Sequence, residues 1–266
     1  SFGVTTTEDV EFDNLSSRLF LSYAISSEIN LFASVSEGFR SGGFNPATAP
    51  VSSYDPESLI SYEIGLKGSW LNNRLYSEFS LFTSDYTDFQ ALVINLNIGQ
   101  QGFTANPGEA EIKGFEWNLQ WAATDQLAFG FAGNVTDTEF TKLSNTSQTK
   151  ALGDPTDLVP DYSYSINTEY QFSLSNRVDG FARLTYNRQG SSTFVGRASG
   201  LAQEVFESDT IGFLNATVGF EWENFGIELF GRNLTNEDKA IAPEDGGSLV
   251  PQARPRSFGI NAHYNF

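Results

Sequence analysis

Histidine and cysteine, the side chains that most often serve as metal ligands or activated nucleophiles, are almost missing from this sequence. Its 266 residues include one histidine, His263, and no cysteine. One histidine without cysteine cannot build the usual zinc sites. A serine hydrolase would have to use His263 as its base, and no Gly-x-Ser-x-Gly motif accompanies it. We therefore predict no catalytic site, no metal site and no resident cofactor.

Cations in the long polar segments are the residues best placed to bind a ligand. The formal net charge is −18, so isolated basic side chains would stand out to an anionic ligand. Four residues are predicted as ligand-contact candidates: Arg40, Phe44, Lys150 and Lys239. Two other interpretations stay open: the cations screen neighbouring acids, or they bind lipopolysaccharide.

The segment 40–45, Arg-Ser-Gly-Gly-Phe-Asn, has two interpretations. Arg40 and Phe44 could contact an anionic or aromatic ligand. Alternatively the paired glycines form a loop hinge, because glycine adopts backbone shapes closed to other residues. The hinge is the interpretation that we favour.

Carboxylates are plentiful, but their pattern does not indicate catalysis. Glu63, Glu116, Glu169, Glu221 and Glu228 fall on the polar face of predicted strands. A catalytic pair would need two of them to converge with shifted pKa values. The simpler expectation is that they pair with cations on the same face, namely Arg18, Lys67, Arg183 and Arg232. The acidic stretch at 8–13 is expected to be a solvated loop rather than a cation site.

The composition indicates strands rather than helices. Aromatic residues make up 14% of the chain, with 24 Phe and 10 Tyr, and there are 24 Gly. Aromatic residues favour strands, and no apolar run approaches the roughly 18 residues that a transmembrane helix needs. The net charge of −18 argues against nucleic acid as a partner, because phosphates require a basic surface.

Connections between the predicted strands alternate strictly between short and long. Short ones fall near 26–28, 71–73, 123–125, 174–176 and 223–224, and long polar segments near 40–56, 90–108, 141–158, 190–207 and 236–254. Short periplasmic turns alternating with long extracellular loops are typical of outer-membrane barrels. The count is about eleven strands of roughly 10–14 residues, near the length that a tilted membrane strand needs. We therefore predict an all-β fold, an antiparallel up-and-down segment of a transmembrane β-barrel.

Side chains alternate between an apolar and a polar face along these strands, as successive residues do in any strand. We predict that Tyr62, Leu66, Trp117, Tyr164 and Phe220 face lipid, and that Glu63, Glu116, Ser165 and Thr217 face the barrel lumen. Trp70, Trp121 and Trp222 each end a strand just before a short turn, on the apolar face. Three tryptophans at one height predict an interfacial aromatic girdle.

Several blocks resemble the TonB-dependent outer-membrane receptors, in the order expected for the second half of their barrel. The blocks span 31–40, 54–57 with 61–67, 109–116 and 231–236, and the chain ends on the aromatic Phe266. This terminal residue resembles the signature that the barrel-assembly machinery reads. The family has an N-terminal TonB box and a plug domain ahead of a 22-stranded barrel, and neither box nor plug is visible here. We therefore expect residues 1–266 to be the C-terminal half of the barrel.

The resemblance implies a receptor in the bacterial outer membrane that imports a scarce ligand, most commonly a ferric siderophore. The implied partners are outer-membrane lipid, the small-molecule ligand, and TonB with its inner-membrane partners, acting through the plug. The complete receptor is expected to be a monomer. Two alternatives stay open at this point: a passive outer-membrane porin, and a soluble carbohydrate-binding β-sandwich.

Overall fold

The structure is a computed structural model, and it describes residues 10–95, 101–144, 150–196, 204–241 and 252–265. Terminal Phe266 and the start of the acidic stretch at 8–13 lie outside these residues. The strands are β1 (Arg18–Ala24), β2 (Ile29–Arg40), β3 (Gly43–Phe44), β4 (Ser53–Tyr54), β5 (Glu57–Trp70), β6 (Leu75–Asn95), β7 (Gln101–Ala122), β8 (Leu127–Leu143), β9 (Tyr162–Ser175), β10 (Val178–Gln189), β11 (Thr193–Gly196), β12 (Glu204–Glu207), β13 (Ile211–Trp222), β14 (Phe225–Arg232) and β15 (Ser257–Tyr264).

Eleven of these strands form one antiparallel sheet in chain order. The order is β1-β2-β5-β6-β7-β8-β9-β10-β13-β14-β15, and β3–β4 and β11–β12 are separate two-stranded pairs. This confirms the predicted all-β, up-and-down arrangement of about eleven strands. A β-sandwich would have two sheets packed face to face, whereas here one sheet continues through all eleven strands. In the described ranges no helix is long and apolar enough to cross a membrane.

The five short turns lie where the polar residues predicted them. They connect β1 to β2, β5 to β6, β7 to β8, β9 to β10 and β13 to β14, with at most four residues between the flanking strands. In the second of these turns Leu71, Asn72 and Asn73 have φ values of 54°, 58° and 64°. Asn tolerates this left-handed region better than most residues do, which explains the two asparagines.

The long segments are more ordered than the sequence analysis predicted, and the expectation of a loop at 90–108 is wrong for its described parts. Strands β6 and β7 continue as a hairpin through 90–95 and 101–108, with Ala91 opposite Ala105 and Val93 opposite Phe103. Their lengths, 21 and 22 residues, exceed the predicted 10–14. The β-branched and aromatic pair Val93 and Phe103 is buried, and such cross-strand pairs stabilise a ladder. The segment at 190–207 likewise contains a hairpin, β11–β12.

The strand register confirms the predicted division of side chains between two faces. Leu66 pairs with Leu31 and Phe79, and the same row continues through Trp117, Gly133 and Tyr164. Residues that are register partners lie on the same face of the sheet. This row therefore lies on one apolar face, together with every second residue of each strand, including Tyr62 and Phe220. By the same rule Glu63, Glu116, Ser165 and Thr217 lie together on the opposite, polar face.

The three strand-ending tryptophans lie on the apolar face at the short-turn end. Trp70 and Trp121 both pair with Leu75, and Trp222 pairs with Phe225. Trp121 stacks on Phe129 with ring centroids 5.6 Å apart, and its side chain is 43% exposed. The arrangement has the geometry of an interfacial aromatic band.

Aromatic residues on the polar face lie against glycines of the neighbouring strand. Phe32 is opposite Gly65, Phe82 is opposite Gly114, Phe181 is opposite Gly219 and Phe230 is opposite Gly259. At each of these glycines an added Cβ would meet the partner ring. Each ring therefore lies flat across a strand. This explains why aromatic residues interrupt the alternation in 74–86 and 177–188.

We predict that Gly65→Ala lowers the free energy of unfolding by about 1–3 kcal/mol, the cost of overpacking a filled site. The new Cβ would overlap the ring of Phe32 and lie 2.7 Å from the backbone oxygen of Phe79. Gly130→Ala is the matched control, because its nearest neighbour, the Cβ of Asn167, is 3.6 Å away. Denaturant titration of refolded protein measures both. Equal effects of the two substitutions would show that packing the Phe32 ring against Gly65 contributes nothing to stability.

Candidate ligand-binding site

The long-loop end of the sheet carries ordered loop structure. The segment that joins β2 to β5 folds back onto the extended β6–β7 hairpin. Asn45 donates to the carbonyl of Thr104 at 2.8 Å and accepts from the amide of Thr104, also at 2.8 Å. Asn106 accepts from the amide of Asp55 at 2.8 Å. Two asparagine amides thus fix the loop to a hairpin more than fifty residues away in sequence.

Gln90 is the central residue of this contact, and its side chain is 6% exposed. Its amide nitrogen donates to the carbonyls of Ser41 and Asp55 at 2.9 and 3.0 Å. Its backbone N–H donates to the carboxylate of Glu57 at 2.6 Å, and Glu57 is itself buried. A buried carboxylate is tolerated when hydrogen bonds replace its hydration. We call residues 40–57, with the hairpin part that holds them, the first loop cluster.

The paired glycines of this cluster act by close packing. A Cβ on Gly42 would lie 2.5 Å from the carbonyl oxygen of Tyr54, and one on Gly43 would lie 2.5 Å from the Tyr54 hydroxyl. Neither glycine has the left-handed φ that only glycine adopts easily. The hinge expected here is therefore a tightly packed corner, in which β3 and β4 pair.

Lys150 organises a second loop cluster, formed by 150–160 and the β11–β12 hairpin. The side chain is almost fully buried, and its Nζ lies 2.5 Å from a carboxylate oxygen of Asp157. The same Nζ lies 5.8 Å from the ring centre of Phe140 and 5.7 Å from that of Phe194, within cation–π range. Burial lowers the pKa of Lys150, and the Asp157 carboxylate opposes that shift. Phe140 in turn contacts Phe89 edge-on, so the two clusters meet.

The structure places the four predicted contact residues in different settings. Arg40 is exposed at the end of β2, opposite Glu57, and Phe44 is 44% exposed in β3. Lys239 donates to the carbonyl of Thr210 at 3.1 Å and lies 3.9 Å from Glu237. Lys150, by contrast, is 2% exposed. Arg40 and Phe44 share the first loop cluster, whereas Lys150 holds the second one together.

Sequence reasoning missed the residues that build these clusters. Asn45, Gln90 and Asn106 looked like ordinary loop residues, although polar amides in long segments are a usable signal for loop-to-loop hydrogen bonds. Phe140 looked like the end of a strand, and Phe194 fell within the long polar segment 190–207. Aromatic residues in or beside a long polar segment could have indicated a small hydrophobic cluster within the loops.

On the polar face one of the four predicted cations, Arg183, forms an ion pair with a predicted glutamate. Arg183 donates to Glu169 at 2.7 Å, and Nε2 of His263 lies 3.3 Å from Glu221. Lys67 lies over the ring of Phe32. Among the described residues no group of three or more His, Asp or Glu side chains is arranged to hold a metal ion. Hydrogen-bonding groups, charges and rings are thus present together on this face.

Comparison with known proteins gives a consistent family. The model of the TonB dependent receptor-like β-barrel matches residues 1–235. The Metal-pseudopaline receptor CntO of Pseudomonas aeruginosa is 28% identical over 155 residues, which cover 58% of this chain and 20% of that protein. The Pesticin receptor of Yersinia pestis is 22% identical over 266 residues, covering 96% of this chain and 36% of the receptor.

Solved structures share the fold over almost the whole chain. The ferric yersiniabactin uptake receptor FyuA from Yersinia pestis superposes with a TM-score of 0.74 at 21% identity, covering 94% of this chain and 37% of that chain. The ferric-catecholate import receptor Fiu from K12 E. coli gives a TM-score of 0.68 at 16% identity, covering 94% of this chain and 34% of that one. The chain thus spans little more than a third of these relatives. The eleven-stranded meander, its two faces and the family match together show that this chain belongs to the TonB-dependent receptors, as part of their β-barrel domain.

Proposed function

We propose that this chain forms the C-terminal half of the barrel of an outer-membrane receptor that imports a metal chelate, with a ferric siderophore as the first candidate. The observation that carries the proposal is the asymmetry of the sheet. One end has turns of at most four residues, and the other end carries two ordered loop clusters held together by buried polar and aromatic contacts. A barrel built this way has its recognition surface at one mouth, because loops on a rigid scaffold are where binding residues concentrate.

The proposed ligand class rests on the ligands of similar proteins and on the exposed cation and ring of the first loop cluster. The similar proteins include a receptor for metal-pseudopaline and uptake receptors for ferric yersiniabactin and ferric catecholates. Arg40 and Phe44 in the first loop cluster offer an exposed guanidinium and an exposed ring. Such a pair suits an anionic, aromatic chelate, because guanidinium groups bind anions and stack on rings. Arg40, Phe44 and Lys239 are therefore the proposed contacts, and Lys150 is proposed to position the loops.

Family membership also suggests the partners. In this proposal a plug domain and the first half of the barrel precede the chain, TonB and its inner-membrane partners supply the energy through the plug, and the apolar face meets outer-membrane lipid. The complete receptor acts as a monomer. The chain's own contribution is binding and release, without bond chemistry.

A passive porin is the second candidate, because it would share the two-faced strands and the aromatic band. The two ordered loop clusters at the long-loop end disfavour it, since ordered loops on a rigid scaffold favour specific recognition over free passage. Energy dependence separates the two functions. A porin equilibrates its solute without TonB, whereas a receptor accumulates its ligand only with TonB.

Loop deletion tests where selectivity resides. We remove 46–51, 145–149 or 242–250 from the complete receptor, because each belongs to a long polar segment of the sequence. At least one of the three deletions should weaken the binding of the preferred ferric chelate by tenfold or more. The deletion of 46–51 keeps Asn45 and Tyr54, which hold the first loop cluster. Glu116→Ala on the lumen wall is the control and should change affinity little. Isothermal titration with ferric yersiniabactin as first probe measures both. Unchanged affinity in all three deletions with loss in Glu116→Ala would place selectivity inside the barrel.

A further inference from the structure

The apolar face carries an arginine near its upper edge, on the long-loop side. Arg188 pairs with Tyr164 and Gly212, which places it on the apolar face of β10. Along β10 it lies ten residues from Val178 at the short-turn end. With a rise of about 3.3 Å per residue and a tilt of about 45°, ten residues climb roughly 23 Å, close to the ~25 Å height of the apolar band of such barrels. Arg188 therefore lies where hydrocarbon gives way to headgroups.

Tyrosines surround this arginine. Arg188 donates through Nη1 to the hydroxyl of Tyr186 at 3.2 Å and through Nε to that of Tyr162 at 3.4 Å. The ring of Tyr164 lies 6.3 Å from that of Tyr162 and 6.1 Å from that of Tyr186. All four side chains are half-buried. The two hydroxyls thus hold the guanidinium in one orientation and leave most of its five N–H donors for another acceptor.

Arg188 differs from Lys113 and Lys142 on the same face, which have acidic partners among the described residues. Lys113 lies 2.8, 3.5 and 3.6 Å from Glu111, Asp137 and Glu139, and Lys142 lies 2.5 Å from Glu109. In the ranges that the structure describes, no carboxylate forms an ion pair with Arg188. A guanidinium facing lipid without a counter-ion is costly inside hydrocarbon and favourable beside an anionic headgroup.

We propose that Arg188, with the hydroxyls of Tyr162 and Tyr186, binds a phosphate of a glycolipid headgroup in the outer leaflet. Guanidinium and phosphate match in charge and in geometry, because the planar fork donates two parallel hydrogen bonds to phosphate oxygens. The three tyrosine rings then pack against the sugar and the upper acyl chain, as aromatic residues do at membrane interfaces. The site lies on the apolar face of the sheet, opposite to the polar face that carries Glu63 and Glu116. It rests on the proposed outer-membrane location and adds a lipid partner to it.

The experiment uses the complete receptor, extracted in mild detergent, with native mass spectrometry after incubation with bis-phosphorylated lipid A. We expect Arg188→Gln to lower the retained lipid A about tenfold, the scale of losing one charge-assisted hydrogen bond. Arg188→Lys should give an intermediate loss. Arg183→Gln is the matched control, because Arg183 lies on the polar face of the same strand, and it should retain lipid A as the wild type does. Dephosphorylated lipid A should bind wild type and Arg188→Gln equally.

Two further arms fix the source of the phosphate and separate this proposal from the import function. Millimolar inorganic phosphate should not displace lipid A, and full displacement would reduce the site to a simple anion site and overturn the lipid assignment. Equal retention in Arg188→Gln and wild type, or equal loss in Arg183→Gln, would also overturn the proposal. Ligand uptake by Arg188→Gln cells at saturating chelate should equal that of the wild type. Failure of uptake in the wild type itself would count against the proposed function alone and leave the lipid result standing.

Discussion

Leu66→Arg is expected to lower the free energy of unfolding by about 2–4 kcal/mol, the cost of arginine on the lipid face at mid-membrane. Leu66 lies on the apolar face of β5 between Leu31 and Phe79. It is four residues from Trp70 at the short-turn end and four from Tyr62 toward the other edge, so it sits near the centre of the apolar band. There the guanidinium has neither water nor a headgroup within easy reach.

The matched control is Asn118→Arg, on the polar face of β7 three residues from Trp121. Its side chain accepts one long hydrogen bond, from Gln120 at 3.3 Å, and it faces the lumen in this account. We expect a change below about 1 kcal/mol, the usual range for substitutions away from packed sites. Refolding into lipid vesicles with a denaturant titration measures both variants. A larger loss at Asn118 than at Leu66 would mean that the two faces have been assigned the wrong way round.

Lys150→Ala should open the second loop cluster, with a loss of about 3 kcal/mol in local stability. Removing one partner of a buried ion pair costs about that much, because the remaining charge keeps its desolvation penalty. Here the remaining charge is Asp157, and the rings of Phe140 and Phe194 lose the ammonium between them. Hydrogen exchange of amides in 150–158 on the folded receptor measures the local effect directly.

Lys142→Ala is the matched control for Lys150→Ala, since it removes a lysine from an equally short ion pair with Glu109. The Lys142 side chain is 70% exposed, against 1% for Lys150. Exposed pairs are worth about 0–1 kcal/mol, so the exchange rates should change little. Equal effects of the two substitutions would show that Lys150 is not a structural residue of the loops.

The faces of the strands could be predicted from sequence because they depend on local alternation. The faces of Leu66 and Glu63 follow from whether each is an even or odd position along one strand. The place of Trp121 follows from its position just before a short turn. The same local signals located Asn72 and Asn73 in a turn, where the backbone is left-handed. The register then followed, since short turns leave little freedom in how neighbouring strands align.

The loop clusters could not be predicted, because their contacts join residues far apart in sequence. Asn45 meets Thr104 across 59 residues, and Lys150 meets Phe194 across the whole β9–β10 hairpin. Lys150 was predicted as a ligand contact because a cation in a long polar segment stands out in a chain of net charge −18. Its burial depends on the acid and the two rings that the fold brings around it. The strand extension through Val93 and Phe103 was missed for a different, local reason. A bulge near Asp88, which has a φ of 53°, interrupts the alternation of apolar and polar residues there.

The most direct test of the account is energy-dependent uptake by the complete receptor. Cells that lack other receptors for the same chelate would express it, and accumulation of the iron-55 form of the chelate that the purified receptor binds would be followed over time. The account predicts accumulation above the external concentration, abolished by a protonophore and by deletion of TonB. Uptake that only equilibrates, and does so equally in cells without TonB, would contradict it and identify the chain as part of a passive pore.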